Sequence, residues 1–120
     1  MTTPADELRT AAKTIRKHAT AAETKRPGRW YPGAAGSVIS PRKGGVDYVT
    51  PHTIPDGAEV ARYIAVMGPD VGHALADLLD ETASEVVAAE GTEYELLAHE
   101  LGNAWTAALA VARTINGSAR

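Results

Sequence analysis

Between residues 24 and 56 the chain places five of its seven prolines (Pro27, Pro32, Pro41, Pro51, Pro55) and five glycines (Gly28, Gly33, Gly36, Gly44, Gly45). No helix propagates at that density, because proline lacks an amide donor and glycine loses the most backbone entropy on ordering. Short β-prone runs lie between the breakers: Arg29-Trp30-Tyr31, Ser37-Val38-Ile39-Ser40 and Val46-Asp47-Tyr48-Val49-Thr50. Pro41-Arg42-Lys43-Gly44-Gly45 reads as the turn joining the last two, which predicts a small hairpin. A lone hairpin is marginal in water, so it must pack on helices or pair with another strand.

The flanking segments have helical periodicity. Thr3 can cap a helix that Pro4 opens, with Asp6 and Glu7 where the dipole favours anions. Leu8, Ala11, Ala12, Ile15, Ala19 and Ala22 line one side of it, and Arg9, Lys13, Arg16, Lys17 and Thr20 the other; its end is expected near Glu23. After the breaker region, Asp56 is the expected cap of a helix carrying Val60, Ala61, Ile64 and Met67, stopped at Gly68-Pro69. Pro69 and Asp70 open the next, with Val71, Leu75, Leu78, Leu79, Thr82 and Val86 as its apolar set. A capping box at Thr92-Glu93-Tyr94-Glu95 predicts a last helix through Leu97, Leu101, Trp105, Ala108, Val111, Ala112 and Ile115, closed by Gly117. The expected fold class is α+β, mainly helical: an N-terminal helix, a small β-hairpin, then a three-helix segment, in a single domain over residues 1–120.

Much of the 44% apolar fraction is alanine and there is no phenylalanine, so burial rewards this chain little per residue and a homodimer is expected to complete the core. The absence of cysteine excludes disulfides and thiolate metal sites. With no apolar run of membrane-spanning length and no apolar leader region, the expectation is a soluble, cytoplasmic protein.

Charge is divided along the chain. Residues 1–45 carry nine Lys/Arg and three acids, a balance of 9 − 3 = +6; residues 46–120 carry three Lys/Arg and twelve acids, 3 − 12 = −9. Such a split suits an anion-binding face, or two halves or two subunits that attract each other.

Pro27-Gly28-Arg29-Trp30 after an Ala-rich helix, Ala61-Arg62-Tyr63-Ile64-Ala65-Val66-Met67-Gly68-Pro69, Ala74-Leu75-Ala76-Asp77-Leu78-Leu79-Asp80 and Ala108-Leu109-Ala110-Val111-Ala112-Arg113 together resemble small uncharacterised proteins of actinobacteria and their phages. More distantly, the Tyr63-Ile64-Ala65 step before a proline-started helix is similar to Ead-like accessory proteins of tailed phages. Here Arg29 stands where such proteins commonly have a second proline, and the last helix is longer. The resemblance implies a mobile-element accessory gene acting on host or phage processes, and it brings no catalytic residues with it.

The candidate ligand-binding set is Arg16, Lys17, Lys25, Arg26, Arg29, Trp30, Tyr31, Arg42 and Lys43: guanidinium groups bind phosphate bidentately and aromatic rings stack bases. The competing expectation is that Trp30 pins the loop to the helices while its basic neighbours stay solvated. Gly33-Ala34-Ala35-Gly36-Ser37 lacks the lysine and following helix of a P-loop. His99-Glu100 precedes Asn103 where a zinc-protease helix needs a second histidine, and no two histidines are spaced to share a metal on one helix. The acids Asp77, Asp80, Glu81 and Glu85 read as a solvated face, and Ser37, Ser40 and Ser84 have no nucleophile motif. The function expected is therefore a non-catalytic phage or prophage accessory protein. It binds an anionic ligand, a nucleotide signal or nucleic acid, through its basic and aromatic N-terminal surface, and no cofactor or metal is called for. The rival is an interaction module whose acidic helical half docks on a host protein.

Overall fold

The computed structural model describes residues 2–33, 37–50, 58–92 and 104–118. Within them the chain is a mainly helical α+β protein in the order α1 (Pro4–Lys25), β1 (Tyr31–Pro32), β2 (Val38–Arg42), β3 (Gly45–Tyr48), α2 (Ala58–Val66), α3 (Pro69–Ala89) and α4 (Ala104–Ser118). It divides into two compact units, Met1–Lys17 with Ala74–Arg120, and His18–His73. The expected Asp56 cap, Glu93 to Glu95 of the capping box, Leu97 and Leu101 lie outside the described residues.

In the first unit, helical spacing brings Ala5, Leu8, Ala11 and Ala12 of α1 against Ala76, Leu79 and Ala83 of α3 and Ala112 of α4. Ile15, Leu75, Val86, Ala108, Leu109 and Ile115 complete the cluster. Alanine at the contact positions lets helix axes approach closely, and Leu8 and Leu79 are the largest fully buried side chains of the cluster. Of the two adjacent leucines expected to be apolar contacts of α3, only Leu79 turns inward: Leu78 is 55% exposed, since consecutive residues of a helix diverge by about 100°. Thr82 is buried as expected, its hydroxyl donating to the Leu78 carbonyl at 2.8 Å. Polar ties close the rim of this core. Glu7 accepts from Arg113 at 3.2 and 3.3 Å, the Asn116 amide donates to the Glu7 carbonyl at 3.1 Å, and Trp105 Nε1 donates to Glu85 at 3.3 Å.

The start of α1 is capped reciprocally. The Asp6 amide donates to Thr3 Oγ1 at 3.1 Å and the Thr3 amide donates to Asp6 Oδ2 at 3.2 Å, two of the donors that a helix start leaves unpaired. The Thr3 amide, and then its hydroxyl, hold the Asp6 carboxyl below the usual carboxylate range. A depressed carboxylate contributes stability above its unfolded pKa and loses it as pH falls through the folded value. Loss of the hydroxyl cap in Thr3→Ala is expected to lower stability by about 1 kcal/mol. Asp6→Asn, which removes the carboxylate that the Thr3 amide holds, is expected to flatten the acid limb of the stability profile below about pH 4, as read by circular dichroism across a pH series, whereas Thr3→Ala keeps that amide and flattens it only in part.

In the second unit the three strands form an antiparallel sheet in the order β1-β2-β3. The cross-strand register is Tyr31↔Ile39 and Pro32↔Val38 on one side of β2, and Ile39↔Tyr48, Ser40↔Asp47, Pro41↔Val46 and Arg42↔Gly45 on the other. The hairpin connection is tighter than the five-residue turn expected: only Lys43 and Gly44 lie outside the strands. Gly44 takes φ +84°, a conformation that costs glycine little. Helix α2 packs on β1 and β2 and buries Val38, Ala61 and Ala65, with Trp30, Val49 and Ile64 against them. The face of α2 turned inward is the alanine one; Val60 and Met67, expected as contacts, are exposed together with Tyr63 and Val66. Among the described residues no helix is long and apolar enough to cross a membrane.

Candidate ligand-binding surface

The chain leaving α1 is shaped by Arg26 and Trp30. Arg26 donates from Nε to the Tyr48 carbonyl and from Nη1 to the Lys25 carbonyl, each at 2.8 Å, which ties the helix end to β3. Trp30 Nε1 donates to the Arg26 carbonyl at 3.0 Å, and the buried Ser40 hydroxyl donates to the Pro27 carbonyl. The indole rests on the small core. Gly68 lies beside it: a Cβ there would meet Trp30 Cδ2 at 3.5 Å, an ordinary contact, and the Ala65 carbonyl more tightly at 3.3 Å. Trp30 thus pins the loop, as the competing expectation held, and it lines a cleft as well.

That cleft has a volume of about 380 Å³, and its walls include Arg29, Trp30 and Tyr31 from the loop and β1, Arg62 and Val66 from α2, and Asp70 from α3. Arg29 stands over the Tyr31 ring, 5.6 Å from its centroid, a cation–π contact worth about 0.5–1 kcal/mol at an exposed site. Two guanidinium groups against one carboxylate leave the cleft a net charge of +1, a setting for an anionic group beside an aromatic wall.

Sheet geometry creates a second surface in the same unit. Residues opposite one another in a ladder project to the same face, and residues two apart along a strand do likewise. Val38 and Ser40 are buried on the face that α2 covers. The other face therefore carries the row Tyr31–Ile39–Tyr48 and, beside it, Pro41–Val46. Tyr31 is 45%, Val46 42% and Tyr48 50% exposed.

The structure sorts the sequence-derived cations. Arg29, Trp30 and Tyr31 come together at the cleft, Arg26 is held against Tyr48, and Lys25 and Lys43 are exposed at the end of α1 and the hairpin tip. Arg42 pairs with Asp47 at 3.4 Å, and strand alternation sends both away from the tyrosine row. Arg16 belongs to the other unit, where its guanidinium meets Asp77 at 3.0 Å and Asp80 at 2.9 Å. Those two carboxylates, Asp77 foremost, raise its pKa further and keep it charged. Lys17 falls in that unit too and is exposed. Counted by unit, the charge division becomes 6 − 5 = +1 for His18–His73 and 6 − 10 = −4 for the rest.

Sequence reasoning missed Arg62, Ile39 and Tyr48. Arg62-Ala65-Val66 at i, i+3, i+4 was the available signal for a second wall, and the Tyr31/Tyr48 pairing emerges only from register. Among the described residues no group of His, Asp or Glu is placed to hold a metal ion. Ala34 to Gly36, His52, His99 and Asn103 lie outside the described residues. No family model, no curated protein and no solved structure matches this chain.

Proposed function

We propose that the chain is a non-catalytic accessory protein of phage or prophage type that binds a phosphate-bearing ligand, a nucleotide signal or nucleic acid, and acts in interference with host defence. The resemblance supports the genetic setting. The observation that carries the binding reading is the convergence of Arg29, Trp30, Tyr31 and Arg62 on one cleft, which sets cationic donors beside aromatic surface. Titration of the whole chain with mononucleotides and with oligonucleotides at low salt tests it. Binding is expected to weaken with added salt, and Arg29→Ala and Arg62→Ala are each expected to lower the affinity and to reduce a nucleic-acid salt slope by about one unit. Absence of binding to every nucleotide and oligonucleotide at low salt defeats the reading.

A second reading rests on Leu78, exposed on α3 beside Asp77 and not far from Glu81. There the acidic helices dock on a host protein, or a second copy covers apolar surface that the alanine core leaves open. Such a contact persists in salt and fails in Leu78→Lys, a substitution that leaves phosphate binding intact.

A further inference from the structure

We infer that the outer face of the three-stranded sheet is a platform for single-stranded nucleic acid, with bases stacking on Tyr31 and Tyr48 and phosphates held by Arg29 and Arg26. This rests on the phosphate-binding reading and decides between its ligands in favour of a strand. Tyr31 on β1 and Tyr48 on β3 stand in one cross-strand row with Ile39 between them. They are two strand spacings, about 10 Å, apart, so a single base cannot cover both rings and a strand of several nucleotides can. Each tyrosine has an arginine beside it, one at the ring and one at the backbone carbonyl. Arg29 lies over the Tyr31 ring, and Arg26 donates from Nε to the Tyr48 carbonyl and from Nη1 to the Lys25 carbonyl, two of the five N–H donors of a guanidinium.

Charge favours the same occupant. Residues 25–48 hold five Lys/Arg and one acid, 5 − 1 = +4, and that acid, Asp47, is paired with Arg42 on the opposite side of the sheet. A base entering at Tyr31 takes either the guanidinium's place on the ring or the ring's other face. Pro41 and Val46 extend the apolar floor beside the row. A duplex hides the faces of its bases, so stacking of this kind selects unpaired strands and tolerates many sequences.

Fluorescence anisotropy with the full chain tests the inference, using thymidine and uridine oligonucleotides of roughly eight residues, the corresponding monophosphates, and a duplex as competitor. The oligonucleotides are expected to bind at least about tenfold tighter than the monophosphates, and Tyr31→Ala and Tyr48→Ala each to weaken them by about 5- to 140-fold. Tyr48→Phe keeps the ring and should keep the affinity. If Tyr48→Ala lowers the melting temperature, Tyr48→Leu retains apolar bulk without a π-face and must show the same loss. Equal affinity for monophosphate and oligonucleotide, unchanged in Tyr48→Ala but lost in Arg29→Ala, overturns the platform and leaves phosphate binding standing at the cleft. A duplex that competes as well as the single strand also overturns it. No binding of any probe removes both readings together.

Discussion

Leu79→Ala is expected to destabilise the protein by about 2–5 kcal/mol, the range for emptying a fully buried leucine position. Leu79 has no exposed surface and is, with Leu8, among the largest fully buried side chains described. Its fully buried neighbours in the core are alanines and Leu8, while Ile15, Leu75, Val86, Leu109 and Ile115 pack at the edge of the same cluster. How far those edge side chains relax into the space sets the cost within that range. Urea denaturation of the full chain measures it. Leu78→Ala, one residue away and exposed, is expected to stay within about 0.5 kcal/mol of the parent. Equal losses in the two variants would mean that α3 presents a different face to the core.

Trp30→Ala is expected to cost about 3 kcal/mol and to loosen the His18–His73 unit, because the indole serves a small core in two ways. It packs on Val38, Ala61 and Ala65, and its N–H satisfies the Arg26 carbonyl at the end of α1. Trp30→Phe keeps much of the packing and removes the donor, so a loss of about 1 kcal/mol is expected instead. The pair also separates folding from recognition. If Trp30 acts as a pin, Trp30→Phe retains ligand affinity and Trp30→Ala loses it in step with near-ultraviolet circular dichroism. An affinity loss in Trp30→Phe without a change in that spectrum would make the indole itself a stacking surface.

The local elements were largely legible. Thr3-Pro4 marks the start of α1, the proline and glycine density marks the β region, and Gly68-Pro69 separates α2 from α3, each through an effect that acts within a few residues. The site was legible only in part. Arg29, Trp30 and Tyr31 stood out as a cationic and aromatic run, and they line the cleft. Arg62 and Tyr48 did not stand out, because each joins the site through a partner distant in sequence. The two-residue strand β1 was legible only as the β-prone run Arg29-Trp30-Tyr31: its bounds, Tyr31 and Pro32, are set by Ile39 and Val38 opposite. On and just after α2, Val60 and Met67 outrank Ala61 and Ala65 in hydrophobicity, yet the face set against the sheet buries the two alanines, with Ile64 beside them, and leaves Val60 and Met67 exposed.

By itself the sequence determined where helices can and cannot run, and that cations gather early in the chain while carboxylates gather late. Both follow from properties of single residues and their near neighbours. Which cations remain available was decided by tertiary structure alone. It sets Arg16 between Asp77 and Asp80 and turns Arg42 to Asp47, while Arg29 and Arg62 are brought to one cleft. A charge is neutralised by what lies within a few ångströms of it, and that distance is a property of the folded chain.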